Sequence, residues 1–102
     1  MNNEHQNDYR YFLTYSGIKL PLKLVTPLSE NETENRNTYF RACFDESDRL
    51  IRCEKIVYGE IEFEHQYEYY ENGVLKQAKI NDLDDDPKLI QFNEAGDSKV
   101  IQ

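Results

Sequence analysis

Residues 50–80, LIRCEKIVYGEIEFEHQYEYYENGVLKQAKI, decide the fold. The stretch reads as a run of antiparallel β-strands joined by tight turns. Gly59-Glu60 and Asn72-Gly73 are short connections whose glycine tolerates positive φ, which favours primed turns matched to strand twist. Between them Ile61, Phe63, His65, Tyr67 and Tyr69 alternate with Glu60, Glu62, Glu64, Gln66 and Glu68. Alternation of this kind gives a strand with one aromatic face and one acidic face. A turn centred on Gly59-Glu60 sets Ile56 opposite Phe63, Glu54 opposite His65 and Arg52 opposite Tyr67. That register predicts a core face running from Leu50 to Tyr58, with Tyr58 opposite Ile61, Arg52, Glu54 and His65 as a polar patch in or beside it, and Cys53 on the solvated side.

On either side of this stretch the chain continues in hairpins. Residues 9–15 and 18–25 form a first hairpin across Ser16-Gly17, with Leu20, Leu22 and Leu24 on one face and Lys19, Pro21 and Lys23 on the other. Pro21 removes a ladder donor, so this strand belongs at an edge or a bulge, and its lysines discourage a stray chain from adding there. Residues 1–8 are polar without periodicity and read as a frayed tail. Residues 26–38, TPLSENETENRNT, form a long connecting loop in which residues 29–34 allow a short helical turn. From residue 39 onward a hairpin pattern recurs. FDESDRLI at 44–51, YENGVLK at 70–76 and FNEAGDSKV at 92–100 each place an aromatic residue before an acid- or amide-rich turn and a return strand. Residues 88–93 and 98–102 make the last hairpin.

Composition narrows the function. A chain of 102 residues is one domain large enough to fold without staples, and its eight Tyr and five Phe supply buried area that the 38% apolar fraction otherwise lacks. A formal charge of −8 argues against nucleic acid or anionic membrane as direct partners and favours a basic protein. No signal-like or membrane-length apolar run is present, which predicts a cytoplasmic protein. Cys43 and Cys53 fall among apolar residues in strands and read as reduced, buried thiols.

Catalytic and metal motifs are lacking. His65 is the one plausible general base, and no serine or cysteine stands beside it in a recognisable signature, so the chain does not read as an enzyme. The acidic run NDLDDDP at 81–87 lacks the central glycine and closing glutamate of a calcium loop, and the spacing of the cysteines and histidines is not that of a zinc site. Neither metal nor cofactor is expected. The candidate surface is the acidic face of Glu60, Glu62, Glu64 and Glu68, extended by Asp82, Asp84, Asp85 and Asp86, with Tyr70 as an aromatic anchor. A solvated strand face, with Lys55 and Lys79 as cross-strand partners, is the plainer explanation of the same pattern.

YEYYENGVLK at 67–76 is similar to the tyrosine- and aspartate-rich hairpin repeats of Rhs-type proteins and to MORN-like repeats of small bacterial antitoxin-type proteins. YFLTYSG at 11–17, KLPLKL at 19–24 and VYGE at 57–60 resemble an uncharacterised family of bacterial proteins of similar length. The resemblance implies a β-rich, bacterial, immunity- or antitoxin-like protein. The sequence therefore predicts one all-β domain of seven or eight antiparallel strands in hairpin order, forming a curved sheet or small open barrel. Its expected work is to block a toxin's basic site through the acidic face. An acidic mimic of nucleic acid acting on a DNA-binding enzyme, and a small-ligand carrier with a cavity lined by Tyr67, Tyr69 and His65, are the alternatives.

Overall fold

The computed structural model describes residues 9–17 and 19–101; the expected tail at 1–8 lies outside them. Eight antiparallel strands form one open sheet: β1 Arg10–Ser16, β2 Lys23–Leu28, β3 Thr38–Phe44, β4 Leu50–Val57, β5 Glu60–Tyr69, β6 Leu75–Asp82, β7 Asp85–Phe92 and β8 Ser98–Val100. Their order is β2-β1-β3-β4-β5-β6-β7-β8, so every neighbour from β3 onward is joined by a hairpin. The expected curved all-β meander is what the chain forms. Part of the segment read as a long loop is structured: β2 runs on to Leu28, and a one-turn helix, α1 Glu30–Thr33, follows. A capping box sets that turn, with the Ser29 hydroxyl accepting from the Glu32 N–H and the Glu32 carboxylate accepting from the Ser29 N–H.

The recurrent hairpins share one turn. At Asp45, Tyr70 and Asn93 the N–H bonds to the carbonyl four residues on (2.9, 2.8 and 2.9 Å), and the carbonyl accepts from the N–H three residues on. The residue at that third position has positive φ in each case: Asp48 at 65°, Gly73 at 91° and Gly96 at 95°. Aromatic side chains directly precede these turns, Phe44, Tyr69 and Phe92, and all pack at the margin of the core. The repeat is therefore real at the level of the turn, aligned on Tyr69 where the sequence pattern pointed to Tyr70. Asn72-Gly73 is part of this longer turn, with Tyr69 opposite Leu75, and not a two-residue connection.

The β4–β5 turn corrects the expected register. Its central residues are Tyr58 and Gly59, with φ of 50° and 82°, the signature of a type I′ turn. Glycine takes the second central position, where the sequence reading had put it first. That change at the turn alone keeps each residue on its expected face, but a shift near Ile56 leaves Glu62 as the extra residue of a bulge, and beyond it Cys53 faces His65 and Glu54 faces Glu64. Moving the register by one residue exchanges the faces of β4. Cys53 enters the core, and Glu54 moves to the opposite side from His65.

One face of the sheet carries the core: Phe12, Phe40, Ala42, Leu50, Cys53, Tyr67, Leu75 and Ala78 are buried together. It is covered by the first hairpin. β1 pairs with β3 only at Arg10, Tyr11 and Phe12, while its pairing with β2 continues to Ser16. The far end of the hairpin folds over the core face, where Tyr15 meets Phe40 with centroids 5.5 Å apart and Leu22 reaches Tyr67. Leu20, Leu22 and Leu24 point inward as their alternation predicts, but the strand begins at Lys23, and residues 19–22 cross the face as a strap. β2 is an edge strand, as the position of Pro21 and the lysines implies.

Candidate functional site

The outer face of the sheet is charged and largely self-paired. Glu54, 3% exposed at its side chain, binds Arg41 Nε at 2.5 Å, and Arg41 also lies over the Tyr9 ring. Glu64 accepts from Arg52 Nε at 2.7 Å, and Glu62 pairs with Lys55 at 2.9 Å. Glu68 accepts from Gln77 Nε2 at 3.0 Å, and Gln77 in turn accepts from Gln91. Burial alone works against the Arg41 charge, but the Glu54 contacts outweigh it and raise its pKa. For Arg52 the hydrogen bond it donates to Glu64 leads, and its pKa is raised as well. Glu62 and Glu64 are thus neutralised within the molecule, and Glu68 is hydrogen-bonded to an amide. Arg41 is the partner that sequence reading missed: β3 supplies it through a register that no local pattern shows. Tyr70 is also turned inward, donating its hydroxyl to the Phe92 carbonyl at 2.7 Å.

The core face holds its own polar hub. The Tyr67 hydroxyl accepts from the Leu22 N–H at 3.2 Å and lies 2.7 Å from His65 Nδ1. Burial lowers the His65 pKa, against a weaker opposing pull from Asp82. Burial raises that of Tyr67 and pushes the Cys53 thiol up to about 12. These groups stabilise the strap. Among the described residues no cluster of His, Cys, Asp and Glu forms a metal-ligand set.

The rest of the predicted acidic set gathers at one end of the sheet. There the β4–β5 turn stands beside the β6–β7 turn, joined by the Leu83 N–H donating to the Glu62 carbonyl at 3.1 Å. Tyr58 is 75% exposed, Leu83 71% and Ile61 41%, and Ile61 and Leu83 line a common shallow depression of about 260 Å³. Glu60, Asp84, Asp85 and Asp86 belong to these two turns and the strand ends beside them, exposed, with no ion pair among the described residues, while Tyr58 leans towards Asn37 ahead of β3. Asp82 orders the second turn by accepting from the Asp84 N–H at 3.0 Å. The expected acids are therefore split. Glu60, Asp82, Asp84, Asp85 and Asp86 come together, whereas Glu62, Glu64 and Glu68 are tied into the outer face.

Tyr58 and Ile61, which the expected register set opposite each other on the core face, are exposed instead because Tyr58 is part of the turn and Ile61 pairs with Ile56, and Leu83 was not anticipated. The signal was present at Tyr58, which occupies the first position of an X-Gly type I′ turn where asparagine, aspartate or glycine is favoured. A bulky residue at positive φ is strained by about 1 kcal/mol or more, and strain of this kind concentrates at functional sites. The Tyr58 ring gains little in return from its surroundings, since its hydroxyl makes one long contact with Asn37 Nδ2 at 3.4 Å.

The sequence matches the model of one protein family over residues 4–100. The chain belongs to DUF6156, a family of unknown function. No curated protein and no solved structure matches it. Within this DUF6156 chain no described helix is long and apolar enough to cross a membrane.

Proposed function

We propose that this DUF6156 protein is an immunity- or antitoxin-like inhibitor that occludes a basic site on a bacterial toxin or effector. The end of the sheet formed by the β4–β5 and β6–β7 turns makes the contact. Tyr58, Ile61 and Leu83 are its anchors, and Glu60, Asp82, Asp84, Asp85 and Asp86 are its acidic rim. Interfaces draw most of their energy from a few aromatic and aliphatic anchors, while a charged rim steers association and sets orientation. The observation that carries the reading is Tyr58: an aromatic side chain 75% exposed, at a φ of 50°, in the turn that Glu60 follows and that stands beside the acidic β6–β7 turn. Such a side chain weakens the fold it sits in and is explained by work done outside it.

Tyr58→Asn separates the two effects. Asparagine before Gly59 suits the type I′ turn, so the variant is expected to be about 1 kcal/mol more stable in urea and to bind its partner at least about tenfold more weakly. Unchanged binding by the stabilised variant would remove Tyr58 from the site. An acidic mimic of nucleic acid would use the same rim, and is distinguished by a partner that releases the protein when duplex DNA is added.

A further inference from the structure

An open sheet has two free edges, and here they differ. β2 carries Lys23, Pro27 and Thr26 at a φ of 61°, features that discourage pairing. β8 forms the other edge, and among the described residues nothing pairs with its outer side. The Ile101 N–H bonds inward to the Leu89 carbonyl at 2.7 Å, so strand alternation turns the N–H and C=O of Val100 and Ser98 outward.

Val100 also ends an apolar row. Tyr67, Ala78, Ile90 and Val100 lie in register across β5 to β8, buried at Tyr67 and Ala78, while Val100 remains 64% exposed. Beside it runs a groove of about 510 Å³ between the strap residues Lys19, Leu20 and Pro21 and the side chains of Leu75, Ile90 and Phe92. This groove is a gap between the strap and the inner side of the sheet from β6 to Ser98 of β8, with an apolar floor and the outward main-chain groups of β8 at its margin.

We propose that the gap is a β-augmentation site that accepts an extended, basic segment of a partner protein. The segment pairs with the outward groups of Ser98 and Val100 and places alternate apolar side chains in the groove. Its basic character follows from the flanks. Glu94 and Asp97 stand at the turn leading into β8, and Asp85 and Asp86 lie on the part of β7 that β8 leaves uncovered, in a chain of net charge −8. Lys19 on the strap, Lys88 beside Asp85 and Asp86 on β7, and Lys99 are the nearby cations. Lys99 neighbours Val100 in the strand and so points to the other face. A second copy of the chain would bring the same acids against one another. The edge shares Asp85 and Asp86 with the acidic end but uses none of Tyr58, Ile61 and Leu83, and it does not depend on that reading.

The test uses amide exchange followed by NMR on the whole chain, with a synthetic peptide alternating valine and lysine as probe. The Val100 amide exchanges freely in the unbound protein, and saturating peptide slows it about tenfold or more, as new pairing requires. Val100→Pro removes an N–H that pairs with nothing among the described residues, keeps the Ile101 bond, and abolishes the perturbation of groove residues Leu75 and Phe92. Tyr58→Asn leaves the effect intact. The proposal fails if the Val100 amide is unmoved, if a valine–glutamate peptide acts equally well, or if changes appear only around Leu83. It also fails if the Val100 amide is already protected in a concentration-dependent way, which would mark a second copy as the occupant.

Discussion

Single residues in this molecule divide between those that hold the strap and charges in place and those that do not serve the fold. Tyr67 is of the first kind. Tyr67→Phe leaves the buried Leu22 N–H without its acceptor and is expected to cost about 1–3 kcal/mol in urea unfolding. Arg41→Ala leaves the Glu54 carboxylate, 3% exposed, without its counter-ion, and is expected to cost about 3 kcal/mol or more. Replacing Arg41 and Glu54 together with apolar residues of similar volume restores most of that loss, and a double-mutant cycle measures the difference. Glu64→Lys opposes Arg52 and destabilises by roughly 1 kcal/mol, so loss of binding in that variant would not report on a docking surface. Tyr58 is of the second kind, being the exposed aromatic whose replacement strengthens the fold.

At the scale of elements, turn chemistry determined what the sequence could show. The recurrent turns were legible because an Asx side chain and a positive-φ residue mark each one: Asp45 accepts from the Ser47 and Arg49 N–H groups, and Asn93 from those of Ala95 and Asp97. Asp45→Ala is therefore expected to cost about 1–2 kcal/mol and to loosen the β3–β4 hairpin, seen as faster exchange of the Arg49 amide. The β4–β5 register was not legible, because a single glycine next to a glutamate is compatible with a primed turn centred one residue either way. The Glu62 bulge then disguised the alternation. That displacement hid the Arg41–Glu54 pair and made an acidic stripe of carboxylates, of which the structure neutralises Glu62 and Glu64. The strap was misread as strand because Leu20, Leu22 and Leu24 alternate in the same way whether they pair in a sheet or lie across one. The acids of the β6–β7 turn needed no register and were found directly.

For the molecule as a whole, the buried histidine and the turn carboxylate shape stability against pH. Burial holds the His65 pKa below its ordinary 6.5, so as pH falls through that value the unfolded chain takes up the proton first. The stability present above about 6.5 is lost as pH drops towards the folded pKa, and His65→Gln removes this step from a series of urea midpoints. For Asp45 burial opposes ionisation, but hydrogen bonds from Arg49 and Ser47 outweigh it and hold the pKa below 3.8. Its contribution persists above 3.8 and is lost as pH falls further through the folded value, giving a second, separate decline. Between these limits the chain is a curved sheet with one end both apolar and acidic. The direct test of its role is to immobilise wild-type protein and Tyr58→Asn side by side, expose both to extract of the native host at moderate salt, and compare what each retains. The account predicts a basic protein held by the wild type and lost from the more stable variant. A basic partner retained equally by both, or no basic partner on the wild type, would contradict it.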